Sequence, residues 1–212
     1  MPILSITDYI PPLLLFVLFC VTHSFFASQK VKIRLLDILP AIKPFYRLAY
    51  NILALILLAL FILALPADAT LYKTSGFLFA LLVIVQISAA VSALLTLKGQ
   101  GAEFSGLQQL SAYVRSGKMP GYLDESRRGR LQRSGFYQYM RHPLYTFSMI
   151  ILIASPIMTA NLAFITILAG IYFYTGSFFE ERGLVKRFGI DFEQYRAEVP
   201  RFLPNISAII KK

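Results

Sequence analysis

The chain has 212 residues, of which 57% are apolar and only 15% charged, with a mean hydropathy of +0.62. A soluble domain of this size needs far more polar surface, so the composition points to the membrane as solvent. The lone Cys20 excludes an intramolecular disulfide and a cysteine metal cluster.

Crossing the hydrocarbon as a helix takes about 20 apolar residues. Windows 9–28, 46–65, 76–97 and 160–179 approach or exceed that length, and a shorter one covers 143–158. The sequence therefore predicts an all-α polytopic membrane bundle of about five spans. The first window carries Asp8 but no basic residue before it, while the basic cluster follows. That is the reverse of a signal peptide, so 9–28 is read as a span.

The formal net charge of +10 finds its explanation in placement. Lys30, Lys32, Arg34, Lys43 and Arg47 lie between the first two spans, eight basic residues between 98 and 141, and seven after 180. Lys73 alone falls on the other side, so 20 of the 21 share one side. This bias predicts an N-terminus outside and a cytoplasmic C-terminus. The charge then sets topology and attracts anionic lipid headgroups, leaving no reason to invoke nucleic acid. His23 and His142 alone cannot complete a tetrahedral site, so no metal centre is expected.

Three regions follow: a three-span membrane part over 1–97, a cytoplasmic connector over 98–141, and a hairpin with C-terminal helices over 142–212. Within the connector, Leu107, Leu110, Tyr113 and Val114 recur at helical spacing, which predicts a short interfacial helix. "DESRRGRLQRSG" reads as a solvated linker.

Between His142 and Glu180, two uncharged limbs flank the turn residues Pro156 and Asn161. Limbs of about 16 to 20 residues span roughly 24 to 30 Å as helix. An antiparallel hairpin of equal limbs brings His142 level with Glu180 and Glu181. Gly189 can cap the returning helix, and Asp191 with Gln194 can form a capping box for another over 192–199. Arg141 at the membrane edge and Pro143 at a first helical turn are ordinary by themselves. A cation, an imidazole and two carboxylates at one depth beside hydrocarbon form a candidate site.

Two stretches, "SGFYQYMRHPLY" and "EERGLVKRFGIDFEQYRAEVPRFLP", occur in order on either side of the hairpin. Together they resemble the C-terminal half of the integral-membrane methyltransferases, over roughly residues 134–204. That superfamily includes isoprenylcysteine carboxyl methyltransferases, phospholipid methyltransferases, and a methanethiol S-methyltransferase and NnrU-like branch. "THSFFASQKVK", "YRLAYN" and "FSGLQQL" look most like the last branch. Many members carry Gly where this chain has Phe147, which bears on the width of a cofactor groove.

The resemblance implies S-adenosylmethionine as cofactor, a small thiol or other lipophilic acceptor, and a bacterial inner-membrane location. It implies cofactor contacts from Arg141, His142, Pro143, Leu144, Tyr145, Glu180, Glu181 and Tyr195. Carboxylates and cations suit the ammonium and carboxylate of the methionine moiety, and amides at the helix start suit an anion. Catalytic candidates are His23, His142 and Arg201. A thiol must lose its proton to become the nucleophile, and imidazole titrates in the right range. Three other readings stay open: a non-catalytic NnrU-like accessory protein in nitrogen-oxide metabolism, an isoprenylcysteine carboxyl or phospholipid methyltransferase, and a nicotinamide-dependent reductase resembling the sterol reductases.

Overall fold

A computed structural model describes residues 5–98, 101–117 and 131–204. Its described residues form two compact units, one drawn from Met1–Asp68 and Gly99–Gly129, the other from Ala69–Lys98 and Arg130–Lys212.

In the first unit, a short 3-10 turn at Ile6–Tyr9 runs into helix α1, Ile10–Ala27, with prolines in its first turn. Helix α2 covers Gln29–Ile38 and α3 covers Tyr46–Leu63. α1 packs on α3 through aromatic rings, Phe16 on Phe61 at 5.5 Å, and the Tyr46 hydroxyl donates to the Phe26 carbonyl at 2.7 Å. Helices α5, Gly101–Ser105, and α6, Leu107–Ser116, follow. The start of α3 grips the turn between them: Arg47 Nε donates to the Phe104 carbonyl at 3.1 Å and Asn51 Nδ2 at 2.8 Å. Gly106 makes this approach possible. Its φ is +88°, and a Cβ there would lie 2.6 Å from the Leu48 nitrogen. The helix expected in the connector is thus present as α6. Leu107 and Val114 of its apolar stripe are exposed, and Gln109 is the side chain turned inward.

In the second unit, α4, Gly76–Leu97, packs against α7, Pro143–Ile153. Ala89, Met140 and Phe147 form the core between them, with Phe136 edge-on to Phe147 at 4.8 Å. Strands β1, Thr70–Lys73, and β2, Ile157–Thr159, pair antiparallel, with Thr70 opposite Thr159 and Lys73 opposite Ile157. Helix α8, Ala160–Phe188, and helix α9, Ile190–Glu198, complete the unit.

Among the described residues, four helices are long and apolar enough to cross a membrane: Ile6–Ala27, Tyr46–Leu63, Gly76–Leu97 and Ala160–Phe188. Large apolar side chains such as Leu14, Leu55, Phe77 and Ile167 are exposed along them. Helices apolar on their outward faces require a hydrocarbon solvent.

The fifth limb differs from expectation. α7 has 11 residues, about 16 Å of helix, against about 32 Å from Ala160 to Glu181 in α8. A turn at 154–156 and strand β2, about 10 Å of extended chain, lengthen the outgoing limb before α8 begins, and Glu181 returns to His142. The backbone groups that a longer helix would have satisfied go partly to β1. Thr74 N–H donates to the Pro156 carbonyl at 2.9 Å, and Ala160 N–H to the Ala69 carbonyl at 2.8 Å.

Gly189, at φ +54°, ends α8 as anticipated, but α9 begins at Ile190 directly beyond it. Asp191 is therefore a first-turn residue and not the cap. Its carboxylate still favours the helix start through the dipole. Residues 124–130 of the linker "DESRRGRLQRSG" lie outside the described residues, and residues 131–134 run up to a short 3-10 turn at Gly135–Gln138.

Candidate active site

His142 occupies the N-cap position of α7, with the fully buried Pro143 at the first helical position. Proline lacks an N–H that would be unpaired there and presets the helical φ. The backbone around His142 is fixed from the far end of the chain. Arg141 N–H donates to the Pro200 carbonyl at 2.9 Å, and His142 N–H to the Arg201 carbonyl at 3.0 Å. Thr146 Oγ1, one turn into α7, donates to the Phe202 carbonyl at 2.9 Å. These bonds lay segment 200–202 along the start of α7.

Glu181 lies at the centre, 3% exposed. Its Oε1 accepts from Arg141 Nε at 2.9 Å, from His142 Nε2 at 3.1 Å and from Arg201 Nε at 3.1 Å. Its Oε2 accepts from Arg201 Nη2 at 2.9 Å. A buried carboxylate is tolerable only with such compensation, and here both oxygens are engaged. Arg141 Nη1 also donates to the carbonyls of Arg196 and Val199, capping the end of α9. The Arg201 guanidinium stacks on Phe178, 3.9 Å from the ring centroid.

Glu180 is the contrasting carboxylate, with its side chain about half exposed. Its Oε2 accepts from the Tyr145 hydroxyl at 3.1 Å and lies 3.4 Å from His142 Nδ1. The His142 imidazole thus bridges the two glutamates, one nitrogen to each. The rings continue the arrangement: His142 stacks on Tyr145 at 5.2 Å and 5°, and Tyr145 on Phe173 at 4.7 Å and 10°.

Arg141, His142, Tyr145, Glu180, Glu181 and Arg201 therefore meet in one network. Pro143 frames it, and Leu144 is half-buried in the same first turn of α7. Tyr195 points elsewhere. It belongs to a cluster with Phe192 and Val199, backed by Leu184 and Val185, and its hydroxyl donates to the Tyr137 carbonyl at 2.6 Å. Burial raises this phenol above its ordinary value of 10.0, keeping it a neutral donor. Phe147 lies in the α4–α7 core, away from the Tyr145 side of α7. His23 belongs to the first unit.

Thr146, Phe173 and Phe178 are site neighbours that motif reading alone passes over. The two phenylalanines could have been found from helical spacing. Residues 173, 177 and 180–181 fall on one stripe of α8, within which Ser177 is completely buried, and Phe178 lies three positions before Glu181.

The family model for phospholipid methyltransferases matches residues 77–191, more than half of the chain and nearly all of the hairpin. The chain belongs to the phospholipid methyltransferase family. Within that setting it is similar to two methanethiol S-methyltransferases of Bradyrhizobium diazoefficiens. Methanethiol S-methyltransferase 1 is 30% identical over 196 residues, 91% of this chain and 65% of the relative. Methanethiol S-methyltransferase 2 is 30% identical over 198 residues, 92% and 73% respectively. A methanethiol S-methyltransferase of Crocosphaera subtropica is 38% identical over 78 residues, 36% of this chain and 30% of its own. The chain thus spans 65% of the length of the first of these relatives and 30% of the Crocosphaera protein. No solved structure matches it.

Proposed function

We propose that this chain is an integral-membrane methyltransferase that uses S-adenosylmethionine to methylate a small thiol. The observation that carries the reading is the division of labour between adjacent carboxylates. Glu181 is saturated by two arginines and a histidine, whereas Glu180 is half exposed beside Tyr145 and His142. Family membership supports methyl transfer, and the names of the relatives favour a thiol acceptor.

The residues present fit the cofactor's chemistry. Glu180 offers an open carboxylate to its ammonium group, and the stacked rings of Tyr145 and Phe173 offer a flat apolar face to a ring or a sulfonium. Pro143 and Leu144 form the backbone frame of that face. Arg141, Glu181, Arg201 and Tyr195 hold the frame and do not touch the ligand directly. When bound, S-adenosylmethionine supplies a methyl group on a positively charged sulfur, ready for in-line displacement. The chain's task is then to orient the acceptor, exclude water and receive the proton that the thiol gives up. His142 and His23 are the imidazoles available for that proton, and His142 has a carboxylate beside each ring nitrogen.

The chain lies in the bacterial inner membrane with its N-terminus outside and its C-terminus in the cytoplasm. The placement of its lysines and arginines supports this orientation.

The decisive experiment titrates detergent-purified protein with S-adenosylmethionine by calorimetry, beside the Glu180→Gln variant. Saturable binding weakened about tenfold or more in the variant is expected, in line with loss of one charge-assisted contact. Absence of saturable binding by the unaltered protein would sink the reading.

A further inference from the structure

Threonines inside helices ordinarily turn the hydroxyl back onto the carbonyl four residues earlier. Thr22, Thr96, Thr166 and Thr175 do so in this chain, at 2.7 to 2.8 Å. Thr146 departs from them. Its hydroxyl lies 3.2 Å from its own such carbonyl, that of His142, and 2.9 Å from the Phe202 carbonyl, 56 positions along the chain. The residue is only 7% exposed, and the His142 carbonyl already receives the Thr146 N–H at 3.1 Å. The hydroxyl proton therefore goes to Phe202, and α7 loses no bond by it.

The bonds that lay segment 200–202 on the start of α7 differ in kind. Backbone N–H groups, of Arg141 and His142, reach the carbonyls of Pro200 and Arg201. The bond from Thr146 is made by a side chain, and it holds the far end, Phe202. That end carries a ring beside the site. The Phe202 ring sits 5.8 Å from the His142 imidazole at a tilt of 45°, and 6.4 Å from Tyr174. The imidazole thus touches Tyr145, placed by α7 itself, and Phe202, placed through Thr146. Tyr145, Phe173 and Glu180, which face the proposed cofactor, are joined by contacts between α7 and α8.

We propose that Thr146 is a positioning residue for methyl transfer. Its hydroxyl fixes Phe202, and the Phe202 ring in turn fixes the attitude of the His142 imidazole toward the acceptor. The inference rests on the reading of His142 as a recipient of the acceptor's proton. Valine at 146 has nearly the shape of threonine without the hydroxyl, so it removes this hold and leaves the Phe202 carbonyl without that donor. Misplacing a reacting group by about 1 Å can cost roughly 100-fold in rate. A loosened Phe202 therefore acts on turnover before it acts on cofactor binding.

The test compares Thr146→Val, Thr146→Ser and Phe202→Leu in full-length protein in detergent. Methyl transfer from S-adenosylmethionine to propane-1-thiol is measured beside cofactor affinity by calorimetry. Thr146→Val is expected to lower kcat about tenfold while cofactor affinity stays within about twofold of the unaltered protein, and Thr146→Ser to keep kcat. Phe202→Leu should reproduce the loss, and the double variant should be no worse than either alone. An unchanged kcat in Thr146→Val, or additive losses in the double variant, would overturn the proposal. So would parallel losses of kcat, cofactor affinity and unfolding midpoint that serine does not rescue, which mark a purely structural residue. Should Thr146→Val fail to fold, Phe202→Leu carries the test, and an unchanged kcat there overturns the proposal. No turnover of this thiol by the unaltered protein would defeat the thiol reading alone. The hold is then read from the His142 ring-proton resonance, told from that of His23 by a His23→Gln variant. It should shift in Thr146→Val as it does in Phe202→Leu and stay in place in Thr146→Ser, and a signal that Thr146→Val leaves unmoved overturns the proposal.

Discussion

Glu181 grips Arg201 with both carboxylate oxygens, at 3.1 and 2.9 Å, and the pair joins the C-terminal part of α8 to the segment of chain that follows α9. Its neighbour Glu180 makes no such grip and stays half exposed. Two adjacent residues of one type thus hold different positions: one builds the site and the other is available to it.

Substituting these two glutamates separates stability from binding. Glu181→Ala leaves two guanidinium groups and an imidazole without their common acceptor, and should cost about 3 kcal/mol or more. Its unfolding midpoint and its S-adenosylmethionine affinity should fall together. Glu180→Ala should lower affinity while keeping the midpoint nearly unchanged. Thermal unfolding and calorimetry on both variants provide the check, and equal destabilisation would contradict the division.

Phe147 offers a test of groove width. Its ring is buried against Ala89, Met140 and Phe136 in the α4–α7 core. Phe147→Ala should therefore cost about 3 kcal/mol through the cavity it leaves while S-adenosylmethionine affinity in the folded fraction stays the same. Tighter cofactor binding in the variant would show instead that the ring narrows the groove.

Gly106→Ala should destabilise the first unit by about 2 kcal/mol, because alanine is strained at positive φ and its Cβ would press on the Leu48 nitrogen. Hydrogen exchange of the α6 amides is the appropriate readout. Protection there should drop while α7 and α8 keep theirs.

Topology is open to reporter fusions. A reporter joined after residue 70 should be active only outside the cytoplasm, and one joined after residue 117 only inside it. The reverse pattern would overturn the orientation read from the basic residues.

Much of the site was legible in the sequence because it depends on depth, and depth follows from counting residues. An uncharged run from 143 through 179 between His142 and Glu180 requires a return to the starting level, whatever its internal structure. The internal structure was less legible. The apolar run 143–158 carries no signal that separates a full helix from an 11-residue helix followed by an extended stretch. That choice is made by β1, which pairs with β2 from more than 80 positions away. The cap of α9 was misjudged for a local reason. Gly189 at positive φ ends one helix and opens the next in a single residue, so Asp191 has no cap position to fill. The difference between Glu180 and Glu181 depends on Arg201 reaching back across 20 residues, and no local pattern encodes which of the two it will meet.

The hold of Arg201 on Glu181 also has a consequence for how the site closes. Glu181 is met by donors from both directions along the chain, Arg141 and His142 before it and Arg201 after it. The carboxylate is therefore fully compensated only once the segment that follows α9 has folded back onto it. A chain cut short of residue 201 would bury this carboxylate without its two-bond partner, so the last stretch of the described chain closes the site.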